Sequence, residues 1–411
     1  MGRFDEHFDQ LLQVGRPPNI VRLFPNSKAL LVSGRVIDRS LLEKGKAMTI
    51  AANGRNSLII RGVLKAAQKA NAAVILEIAK SEGGPNAYCA TNMWNLARMV
   101  DVFCNELGIT VPVAVHADHF AIKSDEDVEM ARVQIPSIFD AGVTSIAVDA
   151  SHLPDKDNLL ANLELAGYIP NWAGYETEVG EIKGKSGMST PEEALYLIRG
   201  LNANGLFPDW IALNNGSTHG LESSGGDIQV DLTSEIHRVL DPYNVSGAQH
   251  GTSGNNYDHL RLIAEKTRTT KANVATALQM LSWGVRVNEY GNAELDDKGN
   301  FVKEPDKGVT GELWRKMTAY AEKQGWQKNN YKKLNLPFEN LFVSQTPEVR
   351  KRMVDAVEEF TLFLLKDVFN AGDTADTAKE IILDKKSFDP GPKAEKQEDP
   401  GEWSPDRIKS T

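Results

Sequence analysis

From about residue 47 the chain alternates short, β-branched apolar runs with longer stretches of helical period. The runs AMTIAA (47–52), AAVILEI (72–78), VPVAVH (111–116) and TSIAVDA (144–150) are predicted strands. YETEVG (175–180), WIALN (210–214), NVSGA (244–248) and GVRVN (284–288) continue the series. Between them lie helical segments such as 57–70, where Leu58, Val63 and Ala66 form an apolar stripe and Arg61, Lys65 and Lys69 turn outward. A second covers 93–108. A third opens behind Ser124 with Asp125, Glu126 and Asp127, acidic residues that suit a helix N-terminus, and Pro136 is expected to kink or interrupt it.

Strands that begin about every thirty residues, eight times over, repeat the βα unit often enough to close a barrel. The fold class expected is therefore α/β, a (β/α)8 TIM barrel, with an N-terminal preface and a C-terminal helical extension. A doubly wound open sheet is the runner-up. No GxGxxG follows the first strand and no GxxxxGK[ST] occurs, so the usual nucleotide-binding reasons for an open sheet are missing. The preface is 1–46, helical or irregular; the barrel with its terminal helices is 47–370; a polar tail fills 371–411. Helices are expected at 311–324 and from 347 to near Gly372. Beyond about 385 the Pro-, Lys- and Glu-rich chain is expected to be poorly ordered or laid over the surface.

Composition narrows this picture in three ways. A chain of 411 residues needs no covalent staples, and its two cysteines, Cys89 and Cys104, make neither a disulfide framework nor a thiolate metal cluster. A net charge of −10 argues against coating nucleic acid, while leaving room for a local basic pocket. The charged N-terminal stretch does not resemble a secretory signal, Gly2 lacks the downstream Ser or Thr of a lipidation signal, and no run approaches a membrane span. The expected location is the cytoplasm, with no membrane partner.

Eight histidines remain to be placed. His116 and His119 end the third strand in VAVHADHF; His219 follows the sixth in LNNGSTHG; His250 follows the seventh in VSGAQHGTSG; Glu178 ends the fifth in YETEVG. Strand C-terminal ends share one face of a barrel, so residues over a hundred positions apart converge there. His119, His219 and His250, with Glu178 as a carboxylate option, make a site for a borderline metal such as zinc. His7, His152, His237 and His259 read as ordinary hydrogen-bonded residues. Gly220, Gly251 and Gly254 let backbone N–H groups approach an anion, and Ser253 adds a hydroxyl. Asp118 is placed to support a ligand or to move a proton near the metal. Aldol cleavage, ketose isomerisation and metal-assisted hydrolysis all fit these groups.

HADH (116–119), ETEVG (176–180), the His219-Gly220 pair and QHGTSG (249–254) resemble, in order and spacing, the class II, metal-dependent fructose-bisphosphate aldolases of the ketose-bisphosphate aldolase family. The similarity runs from about residue 47 to about 370. It implies that Asp118 is the proton-transfer group and that His119, His219 and His250 hold zinc or another divalent transition metal. Glu178 is then an alternative or second-site ligand. Gly220, Gly251 and Ser253 become phosphate contacts, and Asn288 the substrate-contacting Asn at the end of the last strand. Fold, dimeric or higher homo-oligomeric assembly and a phosphorylated sugar substrate follow by the same resemblance. The reaction implied is cleavage of fructose 1,6-bisphosphate to glycerone phosphate and glyceraldehyde 3-phosphate.

The sequence departs from that family in four places. The stretch after ETEVG, GEIKGKSGMS, lacks an acid where the family carries its proton donor, with Glu181 the nearest. GLESS at 220–224 lacks a phosphate-holding Lys; EYG at 289–291 replaces Ile-Asp-Thr; and Ser81 is about two positions from the expected serine. By the same resemblance Arg350 or Arg352 matches a distal phosphate contact that some members carry in the C-terminal helix, while RKR at 350–352 also reads as a solvated face. These departures keep two alternatives open: a different ketose phosphate or sugar acid as substrate, or a non-catalytic metal-binding barrel with a binding or regulatory role.

Overall fold

The computed structural model describes residues 4–180, 187–217 and 228–410. Eight parallel strands close into one barrel in chain order: β1 (Thr49–Asn53), β2 (Val74–Ala79), β3 (Val113–Ala121), β4 (Ser145–Asp149), β5 (Gly174–Val179), β6 (Trp210–Leu213), β7 (Ser246–Gln249) and β8 (Thr269–Val274). Closure is made by β1 against β8, with Thr49 opposite Lys271 and Ala52 opposite Val274. Helices cross between successive strands, including Ser57–Ala70, Leu96–Leu107 and Asp125–Asp140. This is a TIM barrel.

Seven of the strands lie where the apolar runs put them; the eighth does not. GVRVN forms only isolated antiparallel bridges, Val285 to Lys303 and Val287 to Ala293. The real β8 is TTKANV, whose Lys271 and Asn273 broke the apolar pattern because they point into a polar barrel interior. Asn288 is therefore not at the end of the last strand. Its side-chain oxygen accepts from the amides of Tyr290, at 2.9 Å, and Asn292, at 3.1 Å, and so shapes a turn. The strand-end asparagine is Asn273.

Pro136 does not interrupt its helix, which runs unbroken over Asp125–Asp140 with Ser124 accepting from the Asp127 amide. A proline inside a helix costs about 3 kcal/mol. Burial of Val128, Ala131, Ile135, Ile138 and Phe139 along one face outweighs that loss.

Helix Gly34–Lys44 closes the N-terminal end of the barrel. At Gly34 a Cβ would lie 2.5 Å from Ser145 Oγ and 3.0 Å from Trp210, so only glycine lets the helix sit this close. Trp210 fills the floor of the barrel, donating to Thr270 Oγ1 at 2.8 Å. The tail then crosses this floor. After helix Thr374–Lys385, buried Lys393 bonds the Asp38 carboxylate, Ser246 Oγ at 2.7 Å and the Asp209 carbonyl at 3.0 Å. A charged, Pro-rich stretch is thus laid on the surface and locked there by the groups that made it look like solvent-facing chain.

Candidate active site

Strand alternation turns residues i and i+2 to one face. In β3 that rule sends His116 and Asp118 inward and His119 outward. The strand breaks the rule locally: Ala117 pairs with Ile146 and Phe120 with Val148, so β3 carries one extra residue there. His119 absorbs the bulge at φ 41°, a left-handed conformation that costs a non-glycine residue about 1–3 kcal/mol. Asp118 and His119 consequently both face the barrel mouth.

Around that mouth His119 Nδ1 lies 3.1 Å from Glu178 Oε1 and 3.3 Å from Asp149 Oδ2. His250 arrives from β7, its ring centroid 4.3 Å from that of His119. Its Nε2 contacts Glu176 Oε1 at 2.9 Å, whereas buried Nδ1 has no hydrogen-bond partner and lies 3.7 Å from Glu178 Oε2. Asp118, His119 and His250 each offer one ligand atom within 4.8 Å of the others, as do His119, Asp149 and Glu178, and Glu176, Glu178 and His250. An orphaned imidazole nitrogen among nitrogen and carboxylate donors, with no thiolate in these groups, fits a borderline divalent cation such as zinc.

A second buried layer supports the first. Lys271 is fully buried, with Nζ 2.8 Å from Glu176 Oε2, 3.3 Å from Glu77 Oε2 and 3.7 Å from Asp118 Oδ1. Asn273 Nδ2 donates to Asp118 Oδ1 at 2.8 Å. His116 contacts Ser145 Oγ at 2.7 Å and Glu176 Oε2 at 3.4 Å.

The electrostatics follow from this crowding. Burial alone would raise the Asp118 carboxyl, but His119, Lys271 and His250 bring it down to about 2. Burial opposes charge on His119 too, and Glu178 and Asp118 overcome it, raising the imidazole well above its usual range. Glu176 is drawn well below the carboxylate range by Lys271, His116 and His250 despite its burial. Burial and Asp118 push Glu77 up, and burial and Lys271 push His116 down toward neutrality.

Beside these groups opens a cleft of about 340 Å³ lined by Asp118, His119, Gly251, Ser253, Asn273 and Thr276. Gly251 and Gly254 both have positive φ, 63° and 97°, in the loop after β7 whose Gly251, Thr252 and Ser253 line the cleft. The far side of the cleft is cationic, with Arg55, Lys328 and Lys332 beside Ser81, Glu82 and Tyr88. Arg55 is locked to Glu82 at 2.5 Å, and Asn53 holds the other Glu82 oxygen at 2.7 Å.

The structure therefore brings Asp118, His119, Glu178, His250, Gly251 and Ser253 to one mouth. Asn288 stays in its turn and is not among the residues that line the cleft. Arg350 and Arg352 bond the carbonyls of Val343 and Gly308 and do not line it either. His219, Gly220 and Glu181 lie outside the described residues. Sequence reasoning missed Lys271, Asn273, Glu176 and the cationic side. The signal for Glu176 was present, because ETE puts two carboxylates on one strand face. K-A-N in β8 carried the same spacing.

The family model described as fructose-bisphosphate aldolase class-II matches residues 40–325. Fructose-bisphosphate aldolase of Staphylococcus aureus is 30% identical over 177 residues, covering 41% of this chain and 56% of that protein. That of Staphylococcus epidermidis is 30% identical over 145 residues, covering 35% and 46%. The chain thus spans about half the length of the curated relatives it matches. Among solved structures, the YdjI aldolase from Escherichia coli K12 superimposes with a TM-score of 0.56 at 18% identity, over 84% of this chain and 99% of that one. Fructose-bisphosphate aldolase (Fba) from Campylobacter jejuni gives 0.54 at 17% identity, over 84% and 97%. At such identities the structures speak for the barrel, while the family model speaks for descent. The chain belongs to the class-II fructose-bisphosphate aldolase family.

Proposed function

We propose that this chain is a zinc-dependent aldolase that cleaves and forms a phosphorylated ketose, with fructose 1,6-bisphosphate as the first substrate. The observation that supports this best is the convergence of Asp118, His119 and His250 within 4.8 Å at the mouth of a cleft with a cationic far side. His119 and His250 would hold the metal, with His219 the third ligand by resemblance and Glu178 the alternative carboxylate. A divalent ion held there would supply Lewis-acid polarisation of the ketose C2 carbonyl.

The chain's own groups supply the rest. Asp118, with Oδ1 held by Asn273, takes the proton of the C4 hydroxyl as the C3–C4 bond breaks, and returns it in condensation. The bond's electron pair passes to C3 and is delocalised toward the C2 oxygen, while C4 becomes the aldehyde carbon. Gly251 and Ser253 anchor one phosphate through backbone amides and a hydroxyl. Arg55, Lys328 and Lys332 receive the distal one. Asn273 takes the substrate-contacting role that the sequence suggested for Asn288.

The reading is tested by His250→Ala. The variant folds, loses bound zinc, and loses cleavage in a coupled triose-phosphate assay. Zinc at full stoichiometry in that variant would sink the ligand assignment. A second reading, a different ketose phosphate, is favoured by Glu82, a carboxylate among the cations where a distal phosphate is to sit. Profiling several ketose phosphates in the same assay separates the two. We place the enzyme in the cytoplasm as a homo-oligomer; buried, unpaired Cys89 and Cys104 fit a reducing compartment, and light scattering of the purified chain checks the assembly.

A further inference from the structure

We propose that Lys271 is a positioning residue that ties the metal-ligand histidine and the proton-transfer carboxylate to a single buried charge, an inference that rests on the aldolase reading above. Lys271 lies beneath the site, fully buried, and its ammonium faces two separate lines of contact. One passes through Glu176: Nζ is 2.8 Å from Oε2, and Oε1 is 2.9 Å from His250 Nε2. This contact occupies one imidazole nitrogen and leaves Nδ1, which has no hydrogen-bond partner, directed at the neighbouring donor atoms. A carboxylate behind a ligating histidine fixes both its tautomer and its ring angle.

The other line is Asp118, whose Oδ1 lies 3.7 Å from Nζ and 2.8 Å from Asn273 Nδ2. Lys271 and Asn273 are two apart on β8, so both point inward toward the same oxygen, Asn273 as a hydrogen-bond donor and Lys271 as a buried charge. The second Asp118 oxygen is left for the cleft. Glu77, 3.3 Å from Nζ with both oxygens outside any hydrogen bond, shares the same positive charge. Removing the ammonium therefore frees Glu176 to turn from His250 and Asp118 to turn from the substrate position.

The test is zinc titration of the metal-free full chain, followed by cleavage kinetics at saturating zinc. Lys271→Met is expected to weaken zinc binding by about 10–100-fold, the usual loss when a ligand's supporting partner is removed. With zinc restored by excess, kcat for cleavage falls by about 100-fold while KM changes little, because a displaced general base is a transition-state defect. Glu176→Gln reproduces the zinc loss, and the double variant adds nothing to it. If Lys271→Met fails to fold, Lys271→Met/Glu77→Gln keeps the net charge unchanged and carries the same two readouts. Unchanged zinc affinity in the folded variant overturns the proposal, whatever happens to cleavage. A wild-type chain that binds no divalent ion overturns this proposal together with the functional reading. One that binds zinc but cleaves no ketose phosphate sinks the substrate reading alone, and the affinity arm still decides the role of Lys271.

Discussion

At the N-terminal end of the barrel, Arg35 and Lys393 face Asp209 and Asp38; at the C-terminal end, Lys271 faces Glu77, Asp118 and Glu176, and His119 faces Asp149 and Glu178. Both ends bury charge, yet only one balances it. The floor sets Arg35, Lys393 and nearby Arg39 against Asp38, Asp209 and Asp389, and adds Thr270, Ser246 and a backbone carbonyl as further partners. Among the described residues the mouth gathers five carboxylates around Lys271 and His119, and it leaves His250 Nδ1 without a hydrogen bond. Buried charge without compensation is expensive, so the shortfall of positive charge at the mouth supports the divalent cation proposed there. The floor needs nothing from outside. The contrast separates a structural ion network from a functional one more sharply than residue type does, since both use Lys, Asp and buried polar side chains.

The comparison can be broken most decisively at the mouth. Asp118→Asn is expected to lower kcat for cleavage by about 100- to 10,000-fold, the range for loss of a general base, while zinc affinity and unfolding midpoint stay near those of the parent. Should the variant lose zinc as completely as a histidine-ligand variant, Asp118 is a ligand and the division of labour drawn here is wrong.

At the floor, Lys393→Met leaves the Asp38 carboxylate buried without its cation, which costs about 3–5 kcal/mol of folding stability. Urea unfolding measures this, and kcat of the folded fraction is expected to be unchanged. A variant with normal stability and reduced kcat would join the two ends functionally.

The smallest effect is expected at Glu398, where the tail meets Arg199 at 3.0 Å, Lys396 at 2.5 Å and Tyr243 Oη at 2.5 Å. Burial opposes its charge, but Lys396, Tyr243 and Arg199 bring it down to about 2, from an ordinary value of 4.5. A depressed carboxylate stabilises the fold above its ordinary value and loses that contribution as pH falls through the folded one. Glu398→Gln is therefore less stable than the parent above about pH 5, by up to about 1 kcal/mol for a pair of this kind, and the difference closes toward pH 2. Urea midpoints across that range supply the check. A gap that widens on acidification contradicts the role given to this tail contact.

How much of this was legible beforehand depends on how each element is stabilised. Helix Ser57–Ala70 was readable to the residue, because Asn56 caps it and its own apolar stripe packs on the barrel. β8 was not, because in a polar barrel interior Lys271 and Asn273 are the inward face, and an apolar template passes over them for GVRVN. That one displacement carried Asn288 into the site in place of Asn273. His119 was legible as a residue but not as a direction, since the bulge that turns it inward is a pairing property of β3 against β4. The cationic side of the cleft was hidden for a related reason. Lys328 and Lys332 come from a short helical segment beyond the barrel repeats, in a stretch that reads as solvated surface.

The sequence by itself determined the repeat, the barrel and the strand ends that carry Asp118, His119, Glu178 and His250, because hydrophobic period and strand-end position are local properties of the chain. Only the tertiary structure decided which carboxylates share a cation, which asparagine holds Asp118, and which lysines face the cleft. Those are matters of register and closure. Moving a pairing by one residue reverses the face a side chain takes, and no local pattern records which partner stands across the barrel.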